Sequence, residues 1–352
     1  MKSVKLGIIG LGSIAVDRHL PLWLKMRDKV QVVALSDIDK NKLDTVSNLF
    51  HVKRLYEDPF EMLSAEDLDL VDVCTPPFSH KLLCLRAFNF DVNCIVEKPL
   101  VTSLDDFEEL KKVAQKRDLN LFVIHNYSFV PVLREVRNLI LNGEIGDMLQ
   151  VDVQLSMPID PEYKDPSFWA HKLPGGLFGE IAPHPCYVLA EFLRGEIEEV
   201  KSQIVKRSAY PFLVGDELKV SVRTDKALGS FSVSLNSPTR RMVVDLLGSR
   251  TWVSIDAGSQ TLVKYLPVTH SKAIFQRGCR SLSDIFQRTK CLAGVSLNVI
   301  AGRYKPMIEG HKYLFGEAVK ALNHEGPYPV DLNTVQKEVE ILENAFSQLN
   351  SS

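Results

Sequence analysis

The chain has little net charge and lacks paired cysteines, long apolar runs, internal repeats and low-complexity linkers, and each of these excludes something. Its 352 residues carry 42 Lys and Arg against 44 Asp and Glu, a formal charge of -2. There is therefore no general electrostatic reason to bind nucleic acid or an anionic membrane. The six cysteines (Cys74, Cys84, Cys94, Cys186, Cys279, Cys291) contain no C-x-x-C pair, so neither a zinc knuckle nor a disulfide framework is indicated, and no metal site is expected. Most lie in apolar runs, as buried thiols of a reducing compartment do. No segment approaches the roughly 20 apolar residues that a spanning helix needs. Met1 to Val16 resembles a leader, because Lys2 and Lys5 precede an apolar stretch. Three glycines interrupt that stretch, Asp17 and Arg18 follow it, and no small-residue cleavage site appears. A cytoplasmic protein is expected.

What is present suits two domains with full cores, since hydrophobic residues make up 45% and charged residues 24%. The first third alternates short apolar runs with helical patterns. Val4 to Ile9, Val30 to Leu35, Val71 to Cys74, Cys94 to Val96 and Leu121 to Ile124 read as near-continuous hydrophobic strands of a parallel sheet covered on both faces. Between them the clearest helix runs from Ser103 to Arg117, where Ser103 and Asp106 have capping-box spacing before Phe107, Leu110 and Val113. This predicts a doubly wound α/β domain over residues 1–124. Beyond it, Val151 to Leu155, Lys219 to Val222, Gly229 to Leu235 and Arg241 to Leu246 are β-rich without a helix after each. A second α+β domain over 125–352, with a mostly antiparallel sheet, is predicted. A helix after Gly175 and Gly176 and two closing helices, roughly 308–323 and 332–349, complete it.

Gly10-Leu11-Gly12-Ser13-Ile14-Ala15 fits G-x-G-x-x-G/A at the first strand-to-helix turn. Gly10 permits the tight turn, Gly12 lets backbone approach a pyrophosphate, and the helix N-terminus attracts phosphate. Glycines are also ordinary punctuation at such turns, so the reading depends on this strand–turn–helix context. Asp37 ends the second strand, where a carboxylate accepts hydrogen bonds from the adenosine ribose; capping the next helix is its alternative role, one that Asp39 suits at least as well. Ile38 follows instead of an arginine, which favours NAD over NADP, although Lys40 could reach a 2′-phosphate.

In Cys94-Ile95-Val96-Glu97-Lys98-Pro99 a lysine stands between an acid and a proline at a strand end. Beside a nicotinamide, Lys98 would hydrogen-bond the reacting oxygen and stabilise developing charge; the plainer role is a surface pair with Glu97. Pro99 favours the former, because it holds Lys98 extended and allows a cis bond. In Gly175-Gly176-Leu177-Phe178-Gly179-Glu180-Ile181-Ala182-Pro183-His184-Pro185, a helix would place Glu180 and His184 four apart on one face. His184 could then act as a general base oriented by Glu180. A structural hydrogen bond is the plainer role for His184, and Pro183 and Pro185 predict a helix that starts late or bends.

These features resemble the glucose–fructose oxidoreductase, inositol dehydrogenase and MocA (Gfo/Idh/MocA) family. The likeness runs from the Gly-x-Gly turn through Thr75-Pro76-Pro77 with His80, Glu97-Lys98-Pro99, Gly175-Gly176 and His184 to His311 and the closing helix. The resemblance implies a Rossmann domain followed by an α+β domain with a large open antiparallel sheet used for homodimer or homotetramer contacts. It implies NAD(P)-dependent oxidation or reduction of a secondary alcohol of a sugar, sugar nucleotide or cyclitol, with Lys98, His184 and Glu180 catalytic. Gly10, Gly12, Ser13, Ile14, Asp37, Thr75, Pro76, His80, Glu97 and Lys98 would meet the cofactor. Asn126, Tyr127, Trp169, His171 and Tyr187 would line the substrate pocket, with a core role the alternative for Trp169.

Three positions depart from the family pattern. Glu180 replaces an aspartate, Tyr187 stands where many members have a second aspartate, and Ser128 replaces a frequent arginine. The stretch 272–305 carries seven basic residues against one acid, Asp284. It could bind a diphosphate or an anionic membrane surface, though a solvated basic face is the plainer reading. Two other functions fit the same residues: an NAD-dependent glycosidase using redox-assisted elimination, and a non-catalytic ligand sensor on the same fold.

Overall fold

The computed structural model of the protein describes residues 3–265, 287, 289 and 305–349. The chain forms two compact units: Met1–His125 with His311–Glu340, and Asn126–Gly310 with Ile341–Ser352.

In the first unit, β1 (Val4–Ile9), β2 (Val30–Ser36), β3 (Arg54–Tyr56), β4 (Leu70–Val73), β5 (Asn93–Val96) and β6 (Leu121–Val123) make a parallel sheet in the order β3-β2-β1-β4-β5-β6. The order reverses between β1 and β4, which is where doubly wound folds take their ligands. The strands read as unbroken apolar runs because both faces are covered: Leu6, Ile8, Val71, Val73, Ile95 and Val96 are all buried. The helix Leu104–Arg117 begins as its capping residues predict, with the Asp106 amide donating to Ser103 Oγ at 3.3 Å. Asp105 and Asp106 occupy its first turn and Lys116 and Arg117 its last, each matched to the helix dipole. Its inward stripe buries Phe107 and Leu110 completely, and each such side chain stabilises the fold by about 1.5–3 kcal/mol.

Residues 311–340 belong with the stretch up to His125 in the first unit. The reason is side-chain packing that a linear pattern does not display. Phe315 stacks on Trp23 with ring centroids 4.0 Å apart and planes 3° from parallel. The Leu121 amide on strand β6 donates to the Tyr328 hydroxyl at 2.6 Å. His125 pairs with Glu338 at 2.8 Å, both side chains 1% exposed.

In the second unit, β7 (Met148–Pro158), β8 (Ile197–Val205), β9 (Glu217–Thr224), β10 (Leu228–Ser234), β11 (Asn236–Gly248), β12 (Trp252–Asp256) and β13 (Thr261–Tyr265) form a sheet in the order β13-β12-β11-β7-β10-β9-β8. Every neighbouring pair is antiparallel except β7 with β10. Alternation is clean in β9, where Leu218, Val220 and Val222 are buried while Lys219, Ser221 and Arg223 face out. The helix Pro183–Phe192 lies on the buried face. A Cβ at Gly229 would come within 2.9 Å of Leu189 Cδ1, so the glycine allows the close approach.

The strands β3, β8, β12 and β13 were not expected from the sequence. β3 has three residues, and β8 is half charged or polar along an edge (Glu198, Glu199, Lys201, Ser202), so neither presents a run of apolar residues. Apart from Lys305, the basic residues of 272–305 lie outside the described residues.

Candidate active site

The first unit gathers its candidate residues at the carboxyl ends of β1, β4 and β5. Gly10 follows β1 with φ +89°, and a Cβ there would lie 2.8 Å from Thr75 Cγ2 and 3.0 Å from the Cys74 carbonyl. Protein geometry therefore demands glycine at this position. Gly12 differs: its φ is ordinary, and no atom lies within 4 Å of the Cβ it lacks. Nothing among the described residues requires glycine at 12, which fits a position kept bare for a dinucleotide's phosphates. Ser13 and Ile14 open the following helix, which widens into a π-helical turn over Ala15–His19.

Asp37 Oδ2 accepts from the Leu11 amide at 2.7 Å and Oδ1 from the Asp39 amide at 2.9 Å, so its carboxylate is anchored to the glycine turn. The next helix, Lys40–Phe50, is capped by Asp39, which accepts from the amides of Asn41 and Lys42. Capping is thus not the role of Asp37. Ile38 beside it is 88% exposed. Thr75 Oγ1 bonds Ser79 Oγ at 2.7 Å, and the buried His80 ring reaches Thr75 O at 2.7 Å and Pro99 O and Leu100 O at 3.1 Å. His80 thereby braces the loop after β4, including Pro76, against the loop after β5. The latter contains Lys98, which is buried, joined to Pro99 by a cis bond.

Beneath these loops lies a charged cluster. His19, fully buried, places Nδ1 2.9 Å from Asp72 Oδ2 and Nε2 3.1 Å from Glu97 Oε1. Trp23 Nε1 donates to Asp72 at 2.7 Å, and Cys74 Sγ lies 3.1 Å from His19 Nδ1. Burial by itself would lower the His19 pKa, but the Asp72 carboxylate and the hydrogen bonds to the ring raise it well above 6.5. Glu97 is likewise pushed up by burial. The hydrogen bond and charge of His19, with the charges of Lys98 and His311, outweigh that and hold it at about 2. The Cys74 thiol is raised by burial and so stays protonated. Asp72, Cys74 and His19, or Glu97, His311 and His19, have donor atoms within 4.8 Å of one another. Both sets share His19, whose two ring nitrogens each face a carboxylate.

His19, Trp23, Asp72 and Cys74 were not picked out from the sequence. The available signal was Asp72, a carboxylate inside an otherwise apolar strand, since buried charge requires a partner.

The second unit contains a separate constellation. The helices Phe178–Ile181 and Pro183–Phe192 meet at Ala182. Pro183 and Pro185 have no N–H to continue the ladder, so Glu180 and His184 fall on opposite sides of the junction. His184 Nδ1 is 3.1 Å from the Tyr187 hydroxyl. That hydroxyl donates to Asn126 Oδ1 at 3.0 Å and accepts from the Tyr127 amide at 3.1 Å. The Tyr127 ring packs edge-on against His184, centroids 5.1 Å apart. Glu180 lies close enough to Tyr163 that, after burial, its charge is the next cause raising that phenol's pKa. Trp169 and His171 belong to an aromatic group: Phe168 is 5.3 Å from Trp169, and His171 is 4.8 Å from Phe212. Trp169 also packs against the second unit's core.

A doubly wound parallel sheet with a Gly-x-Gly turn at its first strand, anchored to an acid on the second, defines a dinucleotide-binding protein. The chain belongs to the Gfo/Idh/MocA family: residues 4–125 match its oxidoreductase NAD-binding Rossmann fold and residues 133–259 its C-terminal domain. Among curated relatives, D-apiose dehydrogenase of Paraburkholderia graminis is 33% identical over 42% of this chain and 38% of its own. Myo-inositol 2-dehydrogenase of Thermotoga maritima is 27% identical over 56% and 57%. The chain thus spans about half the length of these relatives. The WlbA dehydrogenase of Bordetella pertussis, solved with NADH and UDP-GlcNAcA, shares the fold over 99% of this chain and 96% of that one, with TM-score 0.81 and 17% identity.

Proposed function

We propose that the protein is an oxidoreductase that uses NAD to move a hydride to or from a secondary alcohol carbon of a sugar, sugar nucleotide or cyclitol. The observation that carries this reading is Gly12, bare toward open space in a turn whose other glycine is fully explained by the protein itself. The carboxylate of Asp37 beside exposed Ile38 favours NAD over NADP. Bound NAD supplies the hydride acceptor or donor, and the remaining work falls to the protein's own side chains. Lys98 hydrogen-bonds the reacting oxygen and stabilises its partial negative charge, while His184 takes the hydroxyl proton during oxidation and returns it during reduction. Glu180, Asn126, Tyr127, Trp169, His171 and Tyr187 shape the sugar pocket. Relatives that act on apiose and myo-inositol, and a fold neighbour solved with a sugar nucleotide, support a polyol as the substrate.

A cytoplasmic location and a homodimer or homotetramer are part of the proposal. The subunit contact is assigned to the open sheet face around Leu247 and Trp252, which are 39% and 47% exposed. No helix among the described residues is long and apolar enough to cross a membrane.

The test is nicotinamide turnover against panels of pentoses, cyclitols and UDP-sugars, for the wild type, Lys98→Met and His184→Asn. Either substitution should lower kcat by about 10²–10⁴-fold, the usual contribution of a positioned acid or base, with the fold intact. Turnover that survives both substitutions, or no affinity for either pyridine nucleotide, would refute the assignment.

A further inference from the structure

We propose that Tyr187 is the residue that positions His184, by fixing which ring nitrogen carries its proton. The inference rests on the reading of His184 as the acid/base group and adds the device that prepares it. His184 and Tyr187 are three residues apart on the helix Pro183–Phe192, hence on one face. The Tyr187 ring is completely buried within the second unit's hydrophobic cluster, so its hydroxyl cannot swing away.

The valence of that hydroxyl decides the tautomer. A phenol has one proton and two lone pairs. The proton goes to Asn126 Oδ1, 3.0 Å away, and one lone pair receives the Tyr127 amide at 3.1 Å. The remaining lone pair faces His184 Nδ1 at 3.1 Å, so Nδ1 must be the protonated nitrogen. In the neutral ring, Nε2 then holds the lone pair and is the atom that can accept a hydroxyl proton. After that transfer the imidazolium keeps its Nδ1–H bond to Tyr187, and the ring need not turn over during the cycle. Tyr127, edge-on to the imidazole, adds a steric stop.

The usual orienter of a catalytic histidine is a carboxylate, which both selects the tautomer and stabilises the imidazolium. A buried tyrosine keeps the first effect without placing a negative charge at Nδ1. Asn126 is the second member of the device, because its carbonyl oxygen holds the hydroxyl proton away from the imidazole.

The experiment uses the full chain labelled with ¹⁵N-histidine, its His184 signals assigned by their loss in His184→Asn. In the wild type at a pH where the ring is neutral, Nδ1 should be protonated and Nε2 bare. Tyr187→Phe keeps the buried ring but removes the acceptor, so the proton should redistribute to Nε2. Its kcat should fall about 10- to 100-fold with the substrate KM little changed, a loss below that of removing the base itself. Asn126→Leu should invert the tautomer, since the freed hydroxyl proton then points at Nδ1; Asn126→Asp should leave it as in the wild type. A wild-type ring protonated at Nε2, or a Tyr187→Phe ring still protonated only at Nδ1, overturns the inference whatever the activity. If His184→Asn keeps full turnover, the acid/base reading fails instead, and the tautomer result stands apart from it.

Discussion

His19 meets Glu97 through Nε2 at 3.1 Å, while its other nitrogen is held by Asp72 at 2.9 Å. The imidazolium so trapped links the first helix to the strand end that carries Lys98. Glu97 Oε2 also accepts from the Lys98 amide at 3.0 Å, so the cluster sets the backbone of the lysine as well as its electrostatic surroundings.

Neutralising that ring should be costly. His19→Gln removes the cation that meets both Asp72 and Glu97, and stability should fall by about 3–5 kcal/mol, the cost typical of breaking a buried ion pair from one side. Denaturant unfolding of both proteins measures the difference. Its pH dependence follows from the two shifts. His19 has a raised folded pKa, so its contribution is complete below about pH 6.5 and is lost as pH climbs through the folded value. Glu97 is held at about 2 against an ordinary 4.5, so its contribution is present above 4.5 and lost as pH falls toward 2. The wild-type advantage should be greatest between about pH 4.5 and 6.5 and shrink on either side. A difference that does not shrink as pH rises above that range would show that the ring is neutral.

The two glycines of the turn should separate stability from binding. Gly10→Ala forces a side chain into a left-handed backbone against Thr75 and Cys74, which should cost at least about 1–2 kcal/mol in unfolding experiments. Gly12→Ala meets no atom among the described residues, so its stability should stay within about 0.5 kcal/mol of wild type. Its affinity for NAD, read by calorimetry, should drop about tenfold or more, equivalent to roughly 1.4 kcal/mol. Unchanged NAD affinity in Gly12→Ala would remove the main support for the dinucleotide site.

Cofactor choice should follow Asp37. Replacing it with serine while changing Ile38 to arginine removes the anionic acceptor and supplies a cation for a 2′-phosphate. NAD binding should weaken by about 10- to 100-fold, since hydrogen bonds to a charged group contribute about 1.5–3 kcal/mol. The NADP-to-NAD ratio of kcat/KM should rise. A ratio that does not move would place the ribose contact elsewhere.

The segment 311–340 should be integral to the first unit. Phe315→Ala removes a fully buried ring stacked on Trp23, and such truncations cost about 3–5 kcal/mol. Phe315→Leu, closer in volume, should recover much of the loss. If Phe315→Ala unfolds like the wild type, the packing of this helix contributes little to stability.

Local chemistry in the chain determined a good deal. Unbroken apolar strands, the Gly10–Gly12 turn and the Ser103 cap each act over a few residues, so the doubly wound unit and its ligand edge were legible from order alone. The antiparallel character of the second sheet was legible where alternation is strong, as in β9, and illegible where an edge strand is polar, as in β8. Only the tertiary structure decided the rest, because it depends on contacts between residues far apart in sequence. It returned 311–340 to the first unit through Phe315 and Tyr328. It also assembled His19, Asp72 and Glu97 from three separate elements into one buried charge network, and it put the Tyr187 hydroxyl at His184 Nδ1. A sequence states which groups exist; burial, which decides what each must be paired with, is a property of the folded chain.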